Sequence, residues 1–418
     1  MILRSPKVEA GFSLIELMVS ITIGLFLLAG AVAMFSSNRR ISNDQQDLTD
    51  LQQHARFALD RMIYDIRMAG YVGCSNDRTR LTNNLRGGLA AATVGNLFDF
   101  NFPVEGREAN GNWLPSNNAA DTVVDDTPNA PTNVTAAEPF TDTFSDAVTI
   151  RSVGGPRVII TGTASGTAAQ TVAFNNDVAQ GGIGLVQGEV VAIHDCNGAD
   201  LFNNTASTDL DATSTLAYAA GGTSDGENAV ATLSRSYAGA GTSPASVSRV
   251  TAVRYFVGQY IPDDLQDANE PVRRGLFRRF WDPAAAAGTG AERSELLIDG
   301  VDRMEITYGV DNVGGDRLPD IYVSADNAAL GTNANGWRNV VAVRIGLLLR
   351  SLRPNASEAD SGDGAIIDPA CAAEALAARD VNGTCVPYGD VAPAALGLAS
   401  NVRRRVVTTT VFIRNNPL

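Results

Sequence analysis

The sequence predicts an α+β protein: one very long N-terminal helix, then a head built on an antiparallel β-sheet with long loops. Three observations carry this. No residue from Leu17 to Asn38 bears a formal charge, a run of 22 positions. An amphipathic pattern with spacings of three and four continues behind it. Beyond residue 145, short runs alternate apolar and polar side chains between Gly-, Asn- and Ser-rich intervals.

Residues 1–11 form a short leader, in which Arg4 and Lys7 favour a cytoplasmic position and Pro6 stops the helix from extending upstream. The uncharged run then spans about 33 Å as a helix, enough to cross a bilayer core of about 30 Å. This assembly or membrane half covers residues 12–38. An amphipathic half covers 39–70, with Leu48, Leu51, Ala55, Ala58, Leu59, Met62, Ile66 and Ala69 on one stripe and Gly70 as the stop. A helix from Phe12 to Ala69 is about 87 Å long.

Residues 71–418 make the head. The stretch 110–143 reads as a long surface loop. Strands are expected at 147–153, 157–161, 189–194, 249–257, 275–281, 303–310, 340–350 and 403–414. A short helix is expected at 370–379.

Composition removes several functions. The net charge is 32 − 46 = −14, which disfavours nucleic acid as a partner. Lys7 is the only lysine, so neither a Gly-Lys phosphate loop nor a Schiff-base lysine exists in the head. Four cysteines, Cys74, Cys196, Cys371 and Cys385, lie beyond the apolar segment. An even count on the exported side suggests two disulfides, with three possible pairings. Cys371–Cys385 is the local choice and leaves Cys74–Cys196. No CxxC pair is present, so zinc is not expected.

Catalysis has little to work with. The two histidines are His54 and His194, and neither Gly-x-Ser-x-Gly nor His-Glu-x-x-His occurs. His194-Asp195-Cys196 could suggest a Cys–His pair, but Cys196 is the better disulfide candidate. Asp311, Asp316 and Asp320 offer a weak Ca²⁺ loop without EF-hand spacing, and a polar turn is the simpler reading. Asp195 to Asp200 reads the same way. Arg273, Arg274, Arg278 and Arg279 form a basic cluster: either a solvated strand face or a partner contact. No cofactor and no catalytic residue is expected.

The N-terminus admits three explanations: a signal peptide cut after Ala29-Gly30-Ala31 or Ala31-Val32-Ala33, a plain anchor, or cleavage before the apolar run. Glu16 counts against the first two, since neither needs a carboxylate inside an apolar segment. Gly11-Phe12-Ser13-Leu14-Ile15-Glu16-Leu17-Met18-Val19 resembles the class III signal of type IV prepilins and type II secretion pseudopilins. The resemblance implies a type IV pilin-like fold, cleavage by prepilin peptidase between Gly11 and Phe12, and N-methylation of Phe12. It also implies that Glu16 pairs with the terminal amine of a neighbouring subunit. Major pilins often carry a proline near the position held by Ala33. None occurs from Phe12 to Ala69, so local melting of this helix is less well supported.

Further segments narrow the resemblance. Asp65-Ile66-Arg67-Met68-Ala69-Gly70-Tyr71-Val72-Gly73-Cys74, then Leu297 to Asp302, Ile306 to Asp311, Val340 to Ser351 and Thr408 to Asn415, resemble PilW-type minor pilins in their order. J-type minor pseudopilins share this resemblance and are the family most easily confused with them. The resemblance implies a low-abundance subunit that primes pilus assembly and caps the tip, serving adhesion and twitching motility. Implied partners are minor pilins of the PilV, PilX, PilE and FimU types, a PilY-type adhesin and the major pilin, with docking through sheet edges and loops. The implied location is the inner membrane of a Gram-negative bacterium, head in the periplasm, then the pilus tip. The alternatives are a J-type pseudopilin of a type II secretion system and a single-span envelope enzyme or receptor.

Overall fold

The computed structural model describes residues 13–74, 78–86, 96–108, 145–164, 172–210, 212–222, 226–260, 273–285, 290–330, 334–352, 377–379, 385–387 and 404–415. The expected 110–143 loop lies outside them. Two compact units divide the chain, Met1–Gln52 and Gln53–Leu418.

The first unit is helical. Helix α1 runs Leu14–Met68 without a proline, and its last turns belong to the second unit. Gly70 follows at φ 75°, the left-handed conformation that terminates a helix at little cost only in glycine.

In chain order the strands of the second unit are β1 (Leu81–Asn83), β2 (Val104–Arg107), β3 (Ala147–Thr161), β4 (Thr163–Ala164), β5 (Val172–Asn175) and β6 (Val190–Asp195). Next come β7 (Gly198–Asn203), β8 (Thr213–Leu216), β9 (Tyr237–Ala238), β10 (Ser246–Tyr260), β11 (Arg273–Asp282) and β12 (Ala291–Asp299). The last are β13 (Val301–Val310), β14 (Ile321–Val323), β15 (Val340–Arg350), β16 (Ala377–Arg379), β17 (Cys385–Pro387) and β18 (Arg404–Phe412), with a short helix α2 (Ala334–Arg338) before β15.

The larger sheet has the order β1-β7-β6-β10-β3-β5-β8, with β11 and β12 continuing from β10 and β2 added to β3. All its pairings are antiparallel except β1 with β7. Strands β3 and β10 organise it. Each is 15 residues long and changes neighbours along its length. A register shift at Ser248/Arg249 bends the pair. The smaller sheet, β14-β13-β15-β18, is antiparallel throughout.

The two sheets meet where β3 begins. Asp146 donates its backbone N–H to Met304 O at 2.8 Å, and its Oδ2 accepts the Ile306 N–H at 2.6 Å. Ser145 Oγ accepts the Met304 N–H at 3.0 Å. Every residue of β13 is buried: β14 and β15 pair with its two edges, and Trp337 of α2 packs against its Tyr308.

Helix α1 enters the head as an apolar ridge. Ala55, Ala58, Leu59, Met62, Ile66 and Ala69 are buried, in the expected stripe. Burying a Leu, Met or Ile side chain contributes about 1.5–3 kcal/mol. Polar contacts fix the ridge in place. Tyr255 Oη on β10 donates to Asp65 Oδ2 at 2.5 Å, and Gly70 N–H donates to Arg151 O on β3 at 2.9 Å.

Three expectations change. The 147–153 and 157–161 segments are one strand, because Gly154 and Gly155 bend it without ending it. Of the expected 370–379 helix, 370–376 lie outside the described residues, and Ala377–Arg379 is a strand paired antiparallel with β17. Cross-strand hydrogen bonds supplied from 385–387 outweigh the helix propensity of its alanines. Between the expected strands 189–194 and 249–257, where no element is expected, lie β7, β8 and β9.

Candidate functional site

The candidate site begins where α1 does. Ser13 O accepts the N–H groups of Glu16 at 3.0 Å and Leu17 at 3.1 Å, closing the first turn. Glu16 therefore sits in that turn, where the helix dipole favours an anion. Its side chain is exposed, and none of the described residues forms an ion pair with it. Gly11 and Phe12 lie outside the described residues.

Around Glu16 the helix is apolar on every side. Leu14 is 76% exposed, Phe26 83% and Leu27 71%, and Ile15, Met18, Ile21, Leu25 and Met34 are also exposed. A helix apolar all round needs lipid or other helices about it. Three of its hydroxyls are satisfied internally. Ser20 Oγ donates to Glu16 O at 2.7 Å, Thr22 Oγ1 to Val19 O at 2.8 Å and Ser36 Oγ to Ala33 O at 2.8 Å. Such bonds remove the need for water. Among the described residues this is the one helix long and apolar enough to cross a membrane.

The helix–head junction is held covalently. Cys74 and Cys196 form a disulfide that ties the segment after α1 to the β6–β7 turn, across 122 residues. Cys196 is thus oxidised and no nucleophile. Asp195 Oδ1 accepts the N–H groups of Asn197 at 2.8 Å and Gly198 at 3.1 Å, so this acidic stretch is a hairpin turn. His194 is buried behind it, with Nε2 3.0 Å from Ser248 Oγ. Burial, and then the nearby Arg157 charge, lower its pKa to about 4. Gly73 makes room for the ring: at φ 96°, a Cβ there would stand 2.5 Å from His194 Nδ1. The partner cysteines Cys371 and Cys385 carry no described side chains.

The acidic 311–320 loop is hydrogen-bonded to itself. Asp320 Oδ2 accepts from Asn312 N at 2.9 Å and Val313 N at 2.8 Å; Asp311 accepts from Gly315 N and Arg317 N; Asp316 accepts from Leu318 N. Three of the four clustered arginines are likewise committed within one hairpin. Arg273 pairs with Asp299 at 3.3 Å, Arg278 with Glu295 at 2.9 Å and Arg279 with Glu292 at 2.5 Å.

Sequence reasoning missed the buried charges between the sheets. Glu108, Asp146 and Glu305 bring carboxylate oxygens within 4.8 Å of one another. They are used structurally. Asp146 takes the Ile306 N–H, Glu108 the Ala325 N–H at 3.2 Å, and Glu305 pairs with Arg303. Nearby, fully buried Arg151 pairs with Glu105 at 2.7 Å and donates to the carbonyls of Leu97, Phe102 and Asn96. Charge next to an apolar alternation was the available signal: Glu105, Arg107 and Glu108 follow directly on Phe98, Phe100, Phe102 and Val104.

Two families match the chain. "Prokaryotic N-terminal methylation motif" covers residues 6–32, and "Type IV Pilus-assembly protein W" covers residues 265–415, from just before β11 to the end of β18. No curated protein and no solved structure matches it. The first match contains Glu16 and the apolar run as far as Val32; the second contains the whole smaller sheet. The prepilin methylation signal at one end and the PilW segment at the other together support a PilW-type minor pilin of the type IV pilus.

Proposed function

We propose that this chain is a low-abundance subunit that primes pilus assembly and caps the tip. Prepilin peptidase cuts between Gly11 and Phe12, and the new amine at Phe12 is methylated. Before assembly the helix anchors the chain in the inner membrane with its head in the periplasm. In the fibre, Glu16 pairs with the terminal amine of a neighbouring subunit.

The observation that carries this is Glu16, an exposed carboxylate at the start of a helix that is apolar on all sides. In lipid such a charge costs about 2.5–3.5 kcal/mol at mid-helix and less near the interface. A cation on the next subunit converts that cost into axial register. Head size supports the tip position: residues 71–418 are bulky for a close-packed helical fibre, and crowding is least at its end.

The partners proposed are PilV-, PilX-, PilE- and FimU-type minor pilins, a PilY-type adhesin and the major pilin; adhesion and twitching motility follow from them. Glu16→Ala tests the mechanism. It leaves cleavage after Gly11 intact and reduces incorporation and piliation, read by immunoblot of sheared fibres. Normal piliation by that variant would refute the pairing. Copurification tests the setting: recovery with secretion pseudopilins alone would favour a J-type role instead.

A further inference from the structure

Strand β18 closes one side of the smaller sheet. Its inner edge pairs with β15 from Arg350↔Arg404 to Ala342↔Phe412 with no register shift. Among the described residues no strand pairs with its outer edge. Sheet edges are ordinarily guarded by charge, proline, a bulge or short length. From Val406 to Phe412 this edge has none of those: Val-Val-Thr-Thr-Thr-Val-Phe is seven uncharged residues of high β-propensity. Thr408, Thr410 and Phe412 are exposed along it.

Charge then limits what fits. Arg405 and Arg414, both exposed, flank the uncharged run, on a chain whose net charge is −14. A second copy is a poor occupant. In an antiparallel self-pair centred on the run, Arg414 falls opposite Arg403, Arg404 or Arg405 of the other copy, and like charges directly opposite are destabilising.

We propose that the outer edge of β18 accepts an added strand from a different subunit of the fibre, uncharged at its centre and acidic at both ends. Backbone hydrogen bonds supply the affinity, and the arginine ends supply register and selectivity. The proposal rests on the reading of the chain as an assembling pilus subunit.

The test places a photo-crosslinking residue at Thr408 or Thr410 of the full-length chain, in cells that make the complete pilus, and another at Phe26 on α1. Adducts from 408 and 410 should map to a strand of another pilus subunit with Asp or Glu on both flanks. The double variant Thr408→Lys/Thr410→Lys should keep its melting temperature and recover roughly tenfold less of that subunit. Adducts to the chain's own residues or to a second copy would overturn the proposal. Adducts from Phe26 with none from 408 or 410 would overturn it while leaving the subunit reading intact. Silence at all three positions would remove both.

Discussion

Replacing His194 by Gln removes a titration that the fold makes expensive. In the unfolded chain an imidazole protonates near pH 6.5; in the head, burial behind the Cys74–Cys196 disulfide and the Arg157 charge lower this to about 4. The folded state therefore binds fewer protons between pH 4 and 6.5, so stability rises with pH across that window. Above pH 6.5 the stabilisation is complete; it is lost as pH falls through 4. A shift of that size corresponds to about 3 kcal/mol at about 1.4 kcal/mol per unit. Raised Asp65, dominated by burial, works in the opposite sense from its ordinary value upward. It is common to both proteins and cancels in the difference. The assay is urea unfolding of the oxidised chain in detergent from pH 4 to 8. Wild type minus His194→Gln should vary by about 3 kcal/mol across the window and flatten above it. Parallel curves would refute the buried, neutral histidine.

Other contacts give separate predictions. Tyr255→Phe strips the donor from buried Asp65 and should cost about 1–3 kcal/mol in denaturant unfolding. Arg151→Met leaves Glu105 buried without its partner and should cost about 3–5 kcal/mol. Cys74→Ser with Cys196→Ser opens a 122-residue separation and should cost about 2–5 kcal/mol; a non-reducing peptide map should show the linked pair in the native chain. Gly73→Ala drives a Cβ into the His194 ring at positive φ and should lower the melting temperature at all pH values.

The helix was legible because its information is local. Lack of charge, three–four spacing and Gly70 act within a few residues of themselves, and the structure places the helix at Leu14–Met68 with Gly70 at φ 75°. Long strands such as β13 and β15 were legible for the same reason. β12 was not: Ala291–Asp299 carries Glu292, Arg293 and Glu295, and only the facing arginines of β11 make that charge a strand signal. β7 was hidden in a Gly- and Asn-rich interval and is specified by its pairing with β6. The buried Arg151–Glu105 pair depends on residues 46 positions apart, which no local pattern reveals. Within the candidate site, Glu16 was visible as a charge out of place, whereas the seat of His194 required knowing that Gly73 lies against it.

Intact-mass and N-terminal peptide spectrometry of the protein taken from pili tests the central claim most directly. The mature protein should begin at Phe12, methylated on its amine, with Arg4, Lys7 and Glu9 gone. A mature chain that begins at Met1, or that begins after Ala31 or Ala33, would contradict it.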